Sequence, residues 1–196
     1  MKQIFDITIA FLVLLILFPV FLLVAILIKM DSKGPVFYKQ QRVGKDRRKF
    51  KLFKFRTMHV FQPRHSSLTI GSHDPRITRI GYWLRKYKID EFPQLLNVLM
   101  GDMSLVGPRP ELEKYVNFYN KEQERVLTVK PGITDWASIE YCNESELLGK
   151  ATDPENYYIK EIIPAKIAYS LRYINHHDLW IDLKIILLTG LKILKN

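Results

Sequence analysis

Cysteine is nearly missing from this chain. Cys142 is the single one in 196 residues, which excludes an intrachain disulfide and any cysteine-rich zinc site. A reducing compartment is compatible with this but not demonstrated by it. Histidines are few as well. His59, His65 and His73 lack the spacing that puts two imidazoles on one helix face, and the adjacent His176 and His177 diverge on a helix. No histidine metal site is expected. The chain has no internal repeat and no low-complexity tract, and its ordinary composition excludes wholesale disorder. Negative charge is also short: 20 acidic residues face 30 lysines and arginines, giving a net charge of +10 and a pI of about 9.6. That balance favours an anionic partner, which could be nucleic acid, an anionic membrane surface or a phosphorylated substrate. The length suits one domain with a real core, or a small domain plus an anchor.

Against these shortages stands one long apolar run, residues 7–28, without a charge. As a helix it reaches about 33 Å at 1.5 Å per residue, enough for a hydrocarbon core of ~30 Å. It is too long for a cleaved signal peptide, no small-x-small site closes it, and Lys29 follows directly. A core helix in so small a protein is not apolar on every face, so the run belongs in lipid. Pro19, near its middle, removes one backbone hydrogen bond and bends a helix. Two shapes follow: a kinked helix that crosses the bilayer, or a helix-break-helix that enters and leaves on one face. The flanks do not decide between them, because only six residues precede the run.

A dense basic segment follows, from Lys29 to Arg56, opposed only by Asp31 and Asp46. Juxtamembrane cations are worth ~1 kcal/mol each against an anionic leaflet and mark the cytoplasmic side. Within it, residues 36–38 and 50–55 read as short strands, the second alternating apolar and basic side chains. With a turn at 42–46 they make a small β-hairpin that could present Lys54 or Arg56 to a phosphate, or serve only for surface adhesion. Residues 59–74 read as a loop. Residues 74–86 read as a helix capped by Asp74 and started by Pro75, with Arg85 near its end.

Next comes Ile89-Asp90-Glu91-Phe92-Pro93-Gln94-Leu95, two adjacent carboxylates between a basic run and a helix that Gly101 ends. Asp90 reads either as an ordinary helix cap or as a nucleophile acting on a diphosphate. In Gly107-Pro108-Arg109-Pro110 two prolines restrict the backbone around Arg109. A guanidinium so held suits bidentate phosphate recognition; a loop arginine paired with a surface carboxylate is the alternative. Residues 111–129 read as a polar amphipathic helix, 130–132 as a turn, and the stretch to Gly149 as irregular. Asp153-Pro154-Glu155 opens a helical region broken at Pro164 and continuing to Tyr173. The final segment, from Asp178, reads as an interfacial helix with Trp180 at headgroup level, or equally as a core helix.

These motifs together resemble the bacterial sugar transferases, the small monotopic polyprenyl-phosphate phosphoglycosyl transferases. The resemblance rests on Gln41-Arg42-Val43-Gly44, Lys54-Phe55-Arg56-Thr57-Met58, the residues from Asp74 to Gly81, the Asp90-Glu91 stretch, the run from Asn97 to Pro110, and Lys130-Pro131-Gly132-Ile133-Thr134. They occur in the family's order and cover most of the chain. The resemblance implies transfer of sugar-1-phosphate from a UDP-sugar to polyprenyl (undecaprenyl) phosphate, with release of UMP, through a covalent aspartyl-phosphosugar intermediate. This would initiate a cell-surface glycan. It implies Asp90 as nucleophile and ligand of an assisting Mg²⁺, with Glu91 as its dyad partner. Arg85, Arg109 and Lys54 or Arg56 are the substrate-binding candidates. The implied fold is mainly α with a small β-hairpin. Residues 1–30 would form a re-entrant membrane helix broken at Pro19. Residues 31–196 would form a catalytic domain with interfacial amphipathic helices, on the cytoplasmic face of the bacterial inner membrane. Anionic lipid is an expected partner, nucleic acid is not, and the oligomeric state is open.

Three positions depart from the family's pattern. Phe18 stands where many members carry Ser before the proline, so no hydroxyl can satisfy backbone groups there and re-entry must rest on packing. Cys142 stands at an arginine position, which removes a cation near the nucleotide sugar and leaves the sugar and nucleotide open. Ile89 replaces a common Leu, a harmless change. The rival from another class is a non-catalytic, membrane-anchored adaptor whose basic face holds anionic lipid or polymer. Charge and anchor fit it equally well, but it gives no reason for a dyad followed by Gly-Pro-Arg-Pro.

Overall fold

The apolar run folds as a single α-helix, α1 (Lys2–Asp31), and Pro19 lies inside it. A proline removes one N–H and bends a helix without ending it, and here no interruption accompanies it. The structure, a computed structural model, describes residues 2–60 and 74–195. Most of the expected 59–74 loop, with His65 and His73, falls outside them. One side of α1 is buried at Asp6, Ala10, Val24 and Ile28, while Phe11, Leu15, Ile16, Phe18 and Leu23 are exposed. Phe5, Ile9 and Val13 pack on a core made by Leu52, Leu95, Val98, Leu105, Tyr173 and Ile185. Further along, Val24 and Ile28 pack on Phe55 and Leu84. Both halves of the helix therefore lie against one body.

The hairpin is real and longer than expected. β1 (Phe37–Val43) pairs antiparallel with β2 (Lys49–Phe55), and a tight turn over Lys45–Arg47 joins them. α2 (Arg79–Lys86) starts later than Asp74 suggests. An isolated bridge between Met58 and Ile77 holds the backbone extended, so Thr78 becomes the cap and its hydroxyl accepts from Gly81 N at 3.0 Å. Asp74 turns instead to the Arg76 side chain and amide. α3 (Gln94–Leu99) ends at Gly101, whose φ of +82° suits a residue without a Cβ.

Downstream, two expectations fail. Residues 111–129 are not one helix. They hold α4 (Glu113–Val116) and a separate 3-10 stretch, Gln123–Thr128. The Asn120 and Gln123 side chains bond each other's amides and so fix a turn between the two. The stretch beyond Gly132 is not irregular. β3 (Ser104–Val106) pairs in parallel with β4 (Gly132–Thr134). Asp135 then caps α5 (Trp136–Glu140), and α6 (Glu144–Lys150) follows. Asp153 does cap α7 (Pro154–Tyr157), as expected. A π-helical turn, Tyr158–Ile162, leads into α8 (Ile163–Asn175), with Pro164 in its first turn.

The last helix, α9 (Leu179–Lys195), packs in part on the core and leaves apolar side chains exposed. Asp182 and Ile185 are buried, whereas Trp180 and Leu194 are among the most exposed apolar side chains. The resulting body is mainly helical with two small sheets and one long apolar amino-terminal helix.

The β3–β4 pair carries the Gly107–Pro110 loop. Gly107 N donates to Thr134 O and Gly132 N to Pro108 O, and the two glycines meet back to back. A Cβ on Gly132 would stand 2.1 Å from Gly107 N. Gly132→Ala should therefore push the loop off β4. The expected cost is about 1–3 kcal/mol, the usual scale for overpacking, seen as a lower melting temperature of the solubilised protein.

Candidate functional site

The basic run after α2 ends in a sharp turn. Lys88 takes a left-handed conformation (φ +56°) and starts the 3-10 turn Ile89–Glu91. A lysine held there stores local strain, of the kind that clusters at functional sites. The turn buries Asp90 at 6 % exposure. Asp90 is not a helix cap: the residue before α3 is Pro93, and no side chain caps that helix. Among the described residues none donates a hydrogen bond to the Asp90 carboxylate, so both its oxygens are available to a reactant.

Glu91 is the opposite case. Lys54 Nζ donates to its Oε1 at 2.8 Å. Arg109 Nη2 donates to the same oxygen at 2.6 Å and Nη1 to Oε2 at 3.2 Å. Two cations from different segments thus converge on one carboxylate. Burial pushes Asp90 above the ordinary aspartate value, and the charges of Lys54, Arg85 and Lys88 only partly oppose this. Burial acts on Glu91 too, but the Arg109 and Lys54 charges outweigh it and hold that carboxyl well below the usual range. Arg109 is held protonated chiefly by Glu91. Burial lowers Lys54, against the pull of Glu91 and then Asp90.

Each cation is set by its own scaffold. Lys54 sits on β2, which α3 fastens through Asn97: the Asn97 side chain accepts from Phe53 N at 3.0 Å and donates to Lys51 O at 2.8 Å. Arg109 sits on the loop sewn to β4. Two residues on, buried Glu111 accepts from the Tyr158 hydroxyl at 2.7 Å and pairs with Arg42 at 3.3 Å. Its carboxyl is held down, against burial, by Lys166 and Arg42.

Arg56, the other candidate on the hairpin, borders the cavity but serves elsewhere. Its guanidinium bonds Pro35 O at 2.6 Å, Ser32 Oγ at 2.6 Å and Ser32 O at 2.8 Å, closing the carboxyl end of α1. Of the two, it is Lys54 that meets the dyad. Asn97 and Glu111 escaped the sequence reading. The signal for Asn97 was available: a lone amide inside the apolar run of α3.

A cavity of about 1500 Å³ opens over the dyad. Lys54, Arg85, Lys88, Asp90, Glu91 and Arg109 line it. So do apolar side chains of both terminal helices, Ile9, Val13 and Leu17 of α1 and Ile186 and Ile193 of α9. Cys142 borders it as well. Such a space suits a molecule with a phosphorylated head and an apolar tail. As for a metal, no group of three or more His, Cys, Asp or Glu gathers among the described residues. One carboxylate free of hydrogen bonds is compatible with Mg²⁺, which commonly binds through one or two carboxylates with the remaining ligands supplied by substrate phosphates and waters.

The sequence matches the family model described as "Bacterial sugar transferase" over residues 1–196. It is 38% identical over 191 residues to the UDP-N-acetylgalactosamine-undecaprenyl-phosphate N-acetylgalactosaminephosphotransferase of Aeromonas hydrophila, covering 96% of this chain and 42% of that one. It is 36% identical over 196 residues to the UDP-glucose:undecaprenyl-phosphate glucose-1-phosphate transferase of Escherichia coli K12, covering 98% and 40%. A Bacillus subtilis protein named "Uncharacterized sugar transferase EpsL" is 38% identical over 194 residues, covering 99% and 87%. The chain spans about two fifths of the length of the first two.

The pairing of Glu91 with both cations has a measurable consequence. In Glu91→Gln, Lys54 and Arg109 lose their counter-charge and face the cavity unneutralised. Inorganic pyrophosphate should bind this variant more tightly than the parent, by roughly tenfold (1.4 kcal/mol), in titration calorimetry. Weaker binding would mean that Glu91 itself helps to hold the anion.

Proposed function

The chain belongs to the bacterial sugar transferase family, and from that premise we propose that it transfers sugar-1-phosphate from a UDP-sugar to undecaprenyl phosphate, releasing UMP. The reaction would initiate a cell-surface glycan on the cytoplasmic face of the bacterial inner membrane. The observation that carries this reading is the Asp90 carboxylate, buried and free of hydrogen bonds among the described residues, in a cavity lined both by Lys54, Arg85, Lys88 and Arg109 and by apolar side chains of α1 and α9.

In the proposed chemistry an Asp90 oxygen attacks the β-phosphorus of the donor. The bond from that phosphorus to the bridging oxygen breaks, UMP departs with the electron pair, and an aspartyl-phosphosugar remains. An oxygen of undecaprenyl phosphate then attacks the same phosphorus, frees the carboxylate and yields the diphosphate-linked sugar. Covalent catalysis divides one hard exchange into two easier ones. Lys54 and Arg109 can leave Glu91 for the diphosphate oxygens and stabilise the charge that builds there. Arg85, lining the same cavity, suits the acceptor phosphate or the orientation of the dyad. Mg²⁺, when bound beside Asp90, supplies charge neutralisation at the phosphates.

The membrane geometry belongs to the same proposal: α1 enters and leaves on one face, and the body rests there with anionic lipid around its basic segment. Attachment of both halves of α1 to one body supports this. The exposed Trp180, Leu183, Leu187 and Leu194 of α9 suit an interfacial helix. The sugar is set by groups that include the wall near Cys142, and a panel of UDP-sugars would identify it.

Solubilised protein given UDP-sugars, undecaprenyl phosphate and Mg²⁺ should release UMP, and Asp90→Asn should abolish both turnover and a trapped phosphosugar adduct. No UMP from any sugar tested would sink the enzyme reading. The pH profile gives a second test. Asp90 must be ionised to attack, and burial raises its pKa above the ordinary 3.8, so turnover falls as pH drops through that raised value. Lys54 favours the anion. Lys54→Met should therefore lower the rate and move the acid limb to higher pH; an unmoved limb would detach Lys54 from Asp90.

A further inference from the structure

The amino-terminal end of α1 carries buried charge that the proposed chemistry does not use. Asp6 is 4 % exposed and Asp182, in the first turn of α9, 1 %. Lys2 pairs with Asp182 and lies 3.9 Å from Asp6. Ser104 Oγ, at the start of β3, donates to Asp6 Oδ2 at 2.6 Å. The Tyr173 hydroxyl donates to Asp182 at 2.5 Å and lies 3.3 Å from Val106 O. The other Asp6 oxygen has no partner among the described residues. Four segments are thereby tied together: both terminal helices, β3 and α8.

We propose that the Asp6–Ser104 and Lys2–Asp182 contacts form a clasp that keeps the amino end of α1 on the membrane face carrying the catalytic body. The inference rests on the re-entrant reading above and identifies what enforces it.

Three observations converge on this assignment. First, α1 stays helical through Pro19, and Phe18 offers no hydroxyl to the backbone there. The proline bends the helix without fixing where its two ends lie, so that constraint must act at the ends themselves. Second, the carboxyl end is already fixed: Arg56 donates to Ile28 O in its last turn and to Ser32 O just beyond it, and Asp31 accepts from Ile80 N at 3.0 Å. Only the amino end could move across a bilayer. Third, buried ion pairs add little to stability compared with apolar packing, but breaking one leaves an uncompensated charge. A helix that crossed the membrane would strand Asp182 inside the body. It would also have to carry Lys2 and Asp6 through hydrocarbon, where charged side chains are costly. The polar groups thus permit one placement and penalise the other. The same contacts hold the start of β3, whose far end leads to Arg109, so the clasp also steadies one of the two cations on Glu91.

The test uses the full chain in intact cells, with Gln3→Cys supplying a reporter thiol for a membrane-impermeant maleimide. Cys142 reports the orientation of the body in the same molecule. With the clasp intact, neither thiol is labelled from outside. In Asp6→Leu/Asp182→Leu, the reporter thiol should gain outside labelling severalfold while Cys142 does not, and UMP release should fall. Asp6→Asn, which can still accept from Ser104, should restore most of the protection. A thermal melt of the purified variants separates loss of fold from change of topology. If the double variant fails to fold, Ser104→Ala gives the same readout with a smaller gain. Protection of the reporter thiol in folded variants as complete as in the parent would overturn the clasp and leave the re-entrant reading standing. Outside labelling of that thiol with the clasp intact would remove both.

Discussion

The Glu91 carboxylate is the point on which the site depends. It gathers Lys54 from 37 residues upstream and Arg109 from 18 residues downstream. Without an anion between them, two cations at that separation would repel in a space that water screens poorly. The hairpin, the turn after α2 and the Gly107–Pro110 loop are thus held in mutual register by one acidic group. Everything behind these three segments reads as support. Asn97 locks β2 to α3, the two facing glycines lock the loop to β4, and Glu111 with Arg42, Tyr158 and Lys166 locks the loop's far side. The two cations are therefore already positioned around a single carboxylate.

The long helix serves the same arrangement from the other side. Its inward face supplies both a core and a cavity wall: Ala10 and Ile28 are buried against the body, while Ile9, Val13 and Leu17 line the cavity. A helix that only anchored the protein would have no reason to border the cavity that holds the dyad. Here one helix presents apolar side chains both outward, at Phe11, Leu15 and Leu23, and into the cavity that holds Asp90.

Much of this was legible in the sequence wherever the cause was local. The apolar run, the alternating strand Phe50–Phe55, the two-proline loop around Arg109 and the Asp153 cap all appear in the structure. What escaped depends on contacts between distant segments. Asp90 looked like a helix cap because Pro93 follows it at the right distance, but the left-handed Lys88 redirects the chain and turns the carboxylate inward. Arg56 and Lys54 are equivalent as letters in a basic strand. Only the position of Ser32 and Pro35 reveals that one closes a helix and the other faces the dyad. β3 and β4 are three residues each, too short for an alternating pattern to register, and their parallel pairing spans an intervening helix and loop. The expected helix over 111–129 failed because a reciprocal amide pair fixes a turn at Asn120 that composition does not announce.

The two neighbouring carboxylates show why adjacency in sequence need not mean similarity in chemistry. On the tight turn Ile89–Glu91 consecutive side chains diverge, so Glu91 meets two cations while Asp90 meets none by direct hydrogen bond. Burial acts on both; the cations outweigh it at Glu91 but only partly oppose it at Asp90, which the Glu91 charge also pushes up, and the two shift in opposite directions from their ordinary values. A nucleophile of the kind proposed for Asp90 must keep a lone pair free and become anionic when needed. A counter-ion must stay anionic and bonded. One turn is compatible with both, because the shorter side chain is left without a hydrogen bond at the cavity and the longer one is captured by Lys54 and Arg109. Pairs of titratable groups pushed apart by their surroundings are the usual mark of divided catalytic roles. Here the division comes from a single strained lysine and from the reach of one extra methylene.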